Sequence, residues 1–273
     1  MKKILYSLVL GAIFFGSCKD DSGDEGTKTT ETPKPTVQVE DKTTALFIKT
    51  SGTKCPPCGG WGWQVSEAVI AENQEAGTAY YMGIFSANSV SEGFITTTAN
   101  EMDAKWAINS WPSFFVGSTK VSPAGSTVSA IAQGMQEEID VLTEEKPVAN
   151  TGVKYTVADG KMMIESSLQF FKAAEGTYHV AFYVVENDAM WKQSGHSQGA
   201  NPIPHHYVLR GAANGTWGVS QATGTIAAGT IKNDIKGEMV IDPSWKMENV
   251  SVYSVIWKKV GTKYEFVNVS KSK

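Results

Sequence analysis

A chain of 273 residues that is 41% hydrophobic and 19% charged can fill one large core or two ordinary ones, and is too apolar to be disordered throughout. Its formal net charge is −4 and Lys and Arg are nowhere clustered, which excludes a polyanion-binding surface. No nucleic-acid partner is expected.

The chain opens on Met1-Lys2-Lys3 and an apolar run from Ile4 to Phe15. That run is too short to span a bilayer comfortably but suits a signal-peptide core. Gly16 and Ser17 then precede Cys18, an arrangement that resembles the lipobox of bacterial lipoproteins. The resemblance implies a signal peptide over 1–17, a lipid on Cys18 and attachment to a membrane. The acidic run KDDSGDE that follows resembles the surface-export signal of Bacteroidota lipoproteins, which implies the outer membrane and its outer face. On charge alone it reads equally as a solvated tail. No later segment reaches the roughly 18 apolar residues of a membrane-spanning helix. Residues 18–41 are polar, acidic and nearly free of bulky apolar groups, so a disordered tether is expected there.

TALFIKT, 44–50, has the apolar density of a buried strand, and Ser51-Gly52-Thr53 turns the chain into Cys55-Pro56-Pro57-Cys58. Beyond the cysteines, Trp61, Val65, Ala68, Val69 and Glu72 keep helical spacing, and Pro57 suits a first helical turn. Gly59, Gly60 and Gly62 weaken that helix start, and the paired tryptophans Trp61 and Trp63 read as core packing. A second strand is expected over 78–85. Thr98 and Glu101 form a capping-box pattern for a helix through Met102 and Trp106. Pro112 stands directly before the apolar run SFFV, an odd place for proline in a central strand. Ser126 or Thr127 can cap a helix whose apolar face is Val128, Ile131, Ala132, Met135, Ile139 and Leu142.

The lipobox claims one of the three cysteines, leaving Cys55 and Cys58 as a pair. A cysteine-type zinc site wants three or four ligands. The four histidines, His179, His196, His205 and His206, all lie far downstream, and adjacent His205 and His206 would point to opposite faces of a strand. A disulfide across so short a loop restrains little unfolded-state entropy. Thiol–disulfide exchange therefore leads, with neither metal nor cofactor expected.

The order strand, Cys-Pro-Pro-Cys, helix, strand, helix, proline-led strand, helix resembles the thioredoxin fold, over about residues 42–146. The resemblance implies that Cys55 attacks, Cys58 resolves, and the partners are protein thiols or disulfides. It also implies a cis peptide before Pro112, facing the pair, with Trp111 offering an apolar face to a bound partner. One departure is plain. The buried acid usual in the first strand of that fold is replaced by Lys49, which either points inward beside the thiols or, the reading preferred here, snorkels to the surface.

From residue 147 the texture changes to period-two, β-branched and aromatic runs: GVKYTV, KMMIESSLQFF, TYHVAFYVV, HHYVLRG, GEMVID and VSVYSVIW. An all-β, immunoglobulin-like sandwich over 147–273 is expected. The polar, proline-containing segment 186–206 reads equally as a functional loop and as a plain connection. HHYVLRGAANGTWG, 205–218, is similar to a stretch in the 28-kDa outer-membrane-protein-related family of Bacteroidota lipoproteins, whose members combine lipoprotein signal, thioredoxin-like domain and β-rich domain. Two functions follow. One is a cell-envelope thiol–disulfide oxidoreductase. The other is a surface lipoprotein that binds a peptide, protein or glycan through the β domain, with the thioredoxin-like domain as scaffold.

Overall fold

The computed structural model describes residues 34–122, 127–198 and 200–272. Cys18, the signal segment and Ser126 lie outside them. Residues 34–273 belong to one compact unit. It is mostly β, with mixed sheets and few helices.

The elements in chain order begin with strand β1 (Ala45–Ser51), the single helical turn α1 (Pro56–Gly59), helix α2 (Trp61–Asn73) and strand β2 (Ala79–Phe85). Helix α3 (Thr97–Trp106), strands β3 (Ser113–Val116) and β4 (Thr119–Val121), and helix α4 (Val128–Glu144) follow. Ten strands then succeed one another: β5 (Ala149–Ala158), β6 (Lys161–Phe170), β7 (Ala174–Glu186), β8 (Ala189–Trp191), β9 (Ile203–His205), β10 (Val208–Ala212), β11 (Val219–Ile226), β12 (Ile231–Val240), β13 (Val250–Val260) and β14 (Lys263–Lys271).

One sheet runs through both halves of the chain, in the order β14-β13-β7-β10-β2-β1-β3-β4, with β11 also on β7. β1 and β2 are parallel, and β3 returns antiparallel to β1. The join is β10, which is antiparallel to β7 and parallel to β2, with Gly83 N donating to Tyr207 O at 3.0 Å. The change of texture near residue 147 thus marks a change in local pattern within one continuous sheet. A small antiparallel sheet, β12-β6-β5, forms the second layer of a sandwich over part of it.

Alternation in β7 explains the layering. Tyr178, Val180, Phe182 and Val184 face the small sheet and meet Met162, Ile164, Leu168 and Phe170. Ala181, Tyr183 and Val185 face the other way, into a core that also holds Leu46, Ile48, Met82 and Ile84 from β1 and β2. On the remaining side of β1, Phe47 packs with Val65 of α2 and Ile131, Met135 and Ile139 of α4.

At α4 the cap is Thr127, one of the two expected, accepting from Ala130 N at 3.2 Å. Two expectations need correction. α3 is capped by Thr96, whose hydroxyl accepts from Ala99 N at 3.0 Å, while Thr98 is buried inside the helix. Residues 34–41, read as the end of a loose tether, lie against the small sheet instead. Thr36 N donates to Asn233 Oδ1 at 2.9 Å and Val37 N to Ser167 Oγ at 3.0 Å. Polar side chains of β6 and β12 supply there what apolar burial does not.

The VLR and GTWG sequences are structural brackets. Arg210 Nε donates to Glu186 Oε2 at 2.8 Å while Lys246 N donates to Oε1 at 2.9 Å, so both oxygens of a buried carboxylate are satisfied. Trp217 stacks on Tyr264 with ring centroids 4.7 Å apart. Arg210→Ala leaves Glu186 buried without its cation, and should cost about 3–5 kcal/mol, the range for breaking a buried pair from one side. Urea unfolding of the full chain reads this directly.

Candidate functional site: the cysteine pair and its cover

β1 delivers the chain to the end of the sheet, and the turn after it places Cys55 immediately before α1. Pro56 and Pro57 occupy the first turn, where helix N–H groups have no partner and proline loses nothing. Cys58 N and Gly59 N both donate back to Cys55 O, at 3.1 and 3.3 Å. Cys55 and Cys58 are disulfide-bonded, with Cα atoms 5.2 Å apart. The helix expected to leave the pair is interrupted at Gly60, whose ψ of −114° is not helical, before α2 begins at Trp61.

The Trp111–Pro112 peptide bond is cis, as the thioredoxin resemblance implies. Cys55 Sγ lies 3.6 Å from Trp111 O. Trp111 itself is partly buried against the central core, and Pro112 sits over α2, where a Cβ on Gly62 would come within 2.6 Å of its ring. So Cys55, Cys58, Trp111 and Pro112 are brought to one place.

Lys49 does not reach the surface. Its strand is buried on both faces, so the aliphatic stem has no route to water, and the residue is only 3% exposed. Nζ instead donates to Cys58 O at 3.0 Å and stands 5.6 Å from the Trp63 ring centroid. Burial is the dominant influence and lowers the Lys49 pKa to about 7; the carboxylate of Glu67 opposes it. The unbroken apolar run Ala45–Ile48 just before Lys49 was the one sequence signal that this strand would be buried on both faces.

The other groups at the site come from the second half of the chain. His196, His205 and His206 surround Trp63, with ring centroids 4.9, 5.2 and 5.8 Å from it. His205 and His206 do not point to opposite faces, because β9 ends at His205 and the chain turns through Tyr207, whose φ is +39°. Both line a cavity of about 10 Å³ together with Lys49, Ser51, Ser66 and Tyr81. Burial and then the Lys49 charge hold His205 down to about 3, so at neutral pH its ring is neutral and Nε2–H can donate to Trp191 O, 3.3 Å away. His206 is also lowered by burial, against the opposing pull of Asp188. Trp61 is core, as expected, but Trp63 is a wall of this site.

Residues 193–196 lie across the cysteine segment. Ser194 N donates to Thr53 O at 2.8 Å. Gln193 is buried, and its amide donates to Gly52 O at 3.1 Å and Cys55 O at 3.2 Å. Gly59 permits this approach: a Cβ there would strike Ser194 O and come within 2.8 Å of His196 N. With this cover in place Cys55 is 7% exposed and Cys58 is fully buried. Nothing in the polar composition of 186–206 specified that it would fold back over residues more than a hundred positions earlier.

Two outcomes are expected. Gly59→Ala should lift 193–196 from the pair, seen as faster reduction of the disulfide by dithiothreitol and earlier proteolysis within that segment. Lys49→Met should stabilise the oxidised protein. In the unfolded chain Lys49 holds its proton up to its ordinary value near 10.5, but in the native protein only up to about 7. The unfolded state therefore binds more protons between those values, and the penalty for burying Lys49 is full below pH 7 and fades toward 10.5. The gain from Lys49→Met, measured by urea unfolding across pH, should be largest below 7 and shrink above it.

No protein-family model matches the chain, and no curated protein matches it. Among solved structures, HBP35 of Porphyromonas gingivalis is similar in fold, with a TM-score of 0.66 at 14% identity over 86% of this chain and 76% of that one. A domain of the outer membrane lipoprotein Omp28 from Porphyromonas gingivalis matches at TM-score 0.30 and 19% identity, covering 45% of this chain and 90% of its own. Among the described residues, no helix is long and apolar enough to cross a membrane.

Proposed function

We propose that the protein is a cell-envelope lipoprotein whose Cys55–Cys58 pair exchanges disulfides with protein thiols. The observation that carries the reading is the convergence of a disulfide-bonded Cys-Pro-Pro-Cys turn with the Trp111 carbonyl 3.6 Å from Cys55 Sγ, next to a cis-proline. Under this reading residues 42–146 act as a thioredoxin-like unit and β5–β14 as an immunoglobulin-like sandwich. Cys55 is the attacking sulfur, because it is the less buried of the two and lies beside the Trp111–Pro112 backbone. Cys58 is the resolving sulfur. The backbone of Trp111 then pairs with the partner chain. The run Met1–Cys18 supports a lipid on Cys18, and the acidic residues after it support placement at the outer membrane, facing outward. The VLR and GTWG sequences support kinship with the 28-kDa outer-membrane-protein-related lipoproteins.

A second reading, a binding protein that uses this fold as a scaffold, is favoured by the cover of residues 193–196 over the pair. The two are separated by trapping. Cys58→Ser should accumulate mixed disulfides through Cys55 when cells are lysed in acid, and Cys55→Ser should not. A redox titration of the full chain should place the pair between roughly −120 and −270 mV, the range of exchange catalysts. A midpoint below about −300 mV, with no trapped partner, would mark a structural disulfide and leave the binding reading standing.

A further inference from the structure

The polar groups behind Cys58 are unlike the apolar surroundings of the rest of β1. Lys49 is the one charged residue in a strand that is buried throughout, and its Nζ hydrogen-bonds Cys58 O at 3.0 Å. Among the described residues no carboxylate pairs with it within 4.0 Å. The titratable groups that face it are Glu67 from α2, Tyr81 from β2, and His205 and His206 at the end of β9. Glu67 is exposed and accepts from Trp63 Nε1 at 2.8 Å, so its charge is screened by water and shared with the indole. Burial keeps Tyr81 protonated and His205 neutral. His206 is lowered by burial and lies 3.9 Å from Asp188. Burial thus brings the Lys49 amine close to its own titration near neutral pH, beside the backbone of Cys58.

We infer that Lys49 takes up a proton when the Cys55–Cys58 disulfide is reduced and releases it when the disulfide re-forms. The inference rests on the exchange reading above. In reduction, a thiolate of a partner dithiol attacks Cys55 Sγ, the Cys55–Cys58 bond breaks, and its electron pair leaves on Cys58 Sγ. The second partner thiolate then attacks the partner's own sulfur in the mixed disulfide and expels the Cys55 thiolate. Two electrons pass from the partner, which leaves as a disulfide. Of the two protons its thiols gave up, one goes to the Lys49 amine and one to solvent. Lys49 is kept close to Cys58 by the bond to its backbone, and an ammonium there favours the thiolate form of the buried sulfur. Linkage makes the effect mutual: a thiolate at Cys58 raises the affinity of Lys49 for its proton by the factor that the ammonium favours the thiolate. In the opposite direction the ammonium holds Cys58 as the thiolate that attacks Cys55 Sγ in the mixed disulfide, and Lys49 gives its proton to solvent once the disulfide has re-formed. The cavity that Lys49 shares with His205 and His206 is near the lower limit for one water.

The test is the reduction potential of the full chain measured from pH 5.5 to 9 in the wild type, Lys49→Met and Lys49→Arg. The wild-type curve should change slope where Lys49 titrates in the oxidised protein, near 7, and neither variant should show that break. A direct readout needs no variant to fold. The Lys49 ¹³Cε resonance should titrate at higher pH in the reduced than in the oxidised wild type. Curves of the same shape in the wild type and Lys49→Met, or one titration midpoint for Lys49 in both redox states, would overturn the inference while leaving exchange itself intact. A wild-type pair with no reversible potential would remove the exchange reading and this inference with it.

Discussion

The short strand β10 holds the molecule together as one body. Its five residues accept β7 on one side and β2 on the other, and so convert what would be two sheets into one. The groups that the second half of the chain brings to the candidate site depend on that insertion. Because Val208 is pinned beside Gly83, the segment just before it must lie along the end of β2, beside the cysteine turn. His205, His206 and the 193–196 cover reach the pair for this reason, although they belong to the β-rich half. The buried Glu186–Arg210 pair secures the same junction from the β7 side. A buried ion pair adds little net stability over an apolar pair, but it penalises any register in which its partners separate. That suits a strand too short to be fixed by ladder bonds alone.

The shared sheet also explains which parts of the fold were legible in the sequence and which were not. β1, α2, β2, α4 and the central β strands carry their own periodicity, so each could be recognised without its neighbours. β11 and β14 were missed because their residues are largely exposed or half-buried and lack a strong apolar alternation. The pairing of β10 with β2 is non-local and rests on few contacts, so it leaves no pattern in either strand. The change of texture at residue 147 is local, and the core that contains Leu46, Ile48, Tyr183 and Trp257 draws on both sides of it. The cap of α3 shows the same limit on a smaller scale. Thr96 and Thr98 are chemically alike, and only the helix's packing, which buries Thr98, decides between them.

At the site, chemistry-bearing residues close together in sequence were readable and the rest were not. Cys55, Cys58 and Pro112 announce themselves by type and by chain order. Lys49 was visible but read the wrong way, because snorkelling is the ordinary behaviour of lysine and its prevention depends on a strand being covered on both faces. The histidines and Gln193 were legible only as members of a segment that could be functional, since their place at the cysteine pair follows from the position of β10. The polar cluster around Trp63 is therefore a property of the tertiary fold, assembled from α2, β1, β9 and the chain leading into β10.

The two sulfurs end in unequal surroundings, and under the exchange reading this asymmetry assigns them different tasks. Cys55 faces the Trp111 carbonyl and retains some contact with solvent, where a partner's sulfur must arrive. Cys58 is sealed from water, where a thiolate would be costly unless a cation stood near it. Under the inference drawn above Lys49 is that cation, and burial makes its charge conditional, since an ammonium with no paired carboxylate is itself costly in the same place. Two groups that are each unfavourable as buried charges become acceptable together. Under that inference the ammonium and the thiolate offset each other's burial cost only while the bond is reduced, so the charge on Lys49 follows the redox state of the pair.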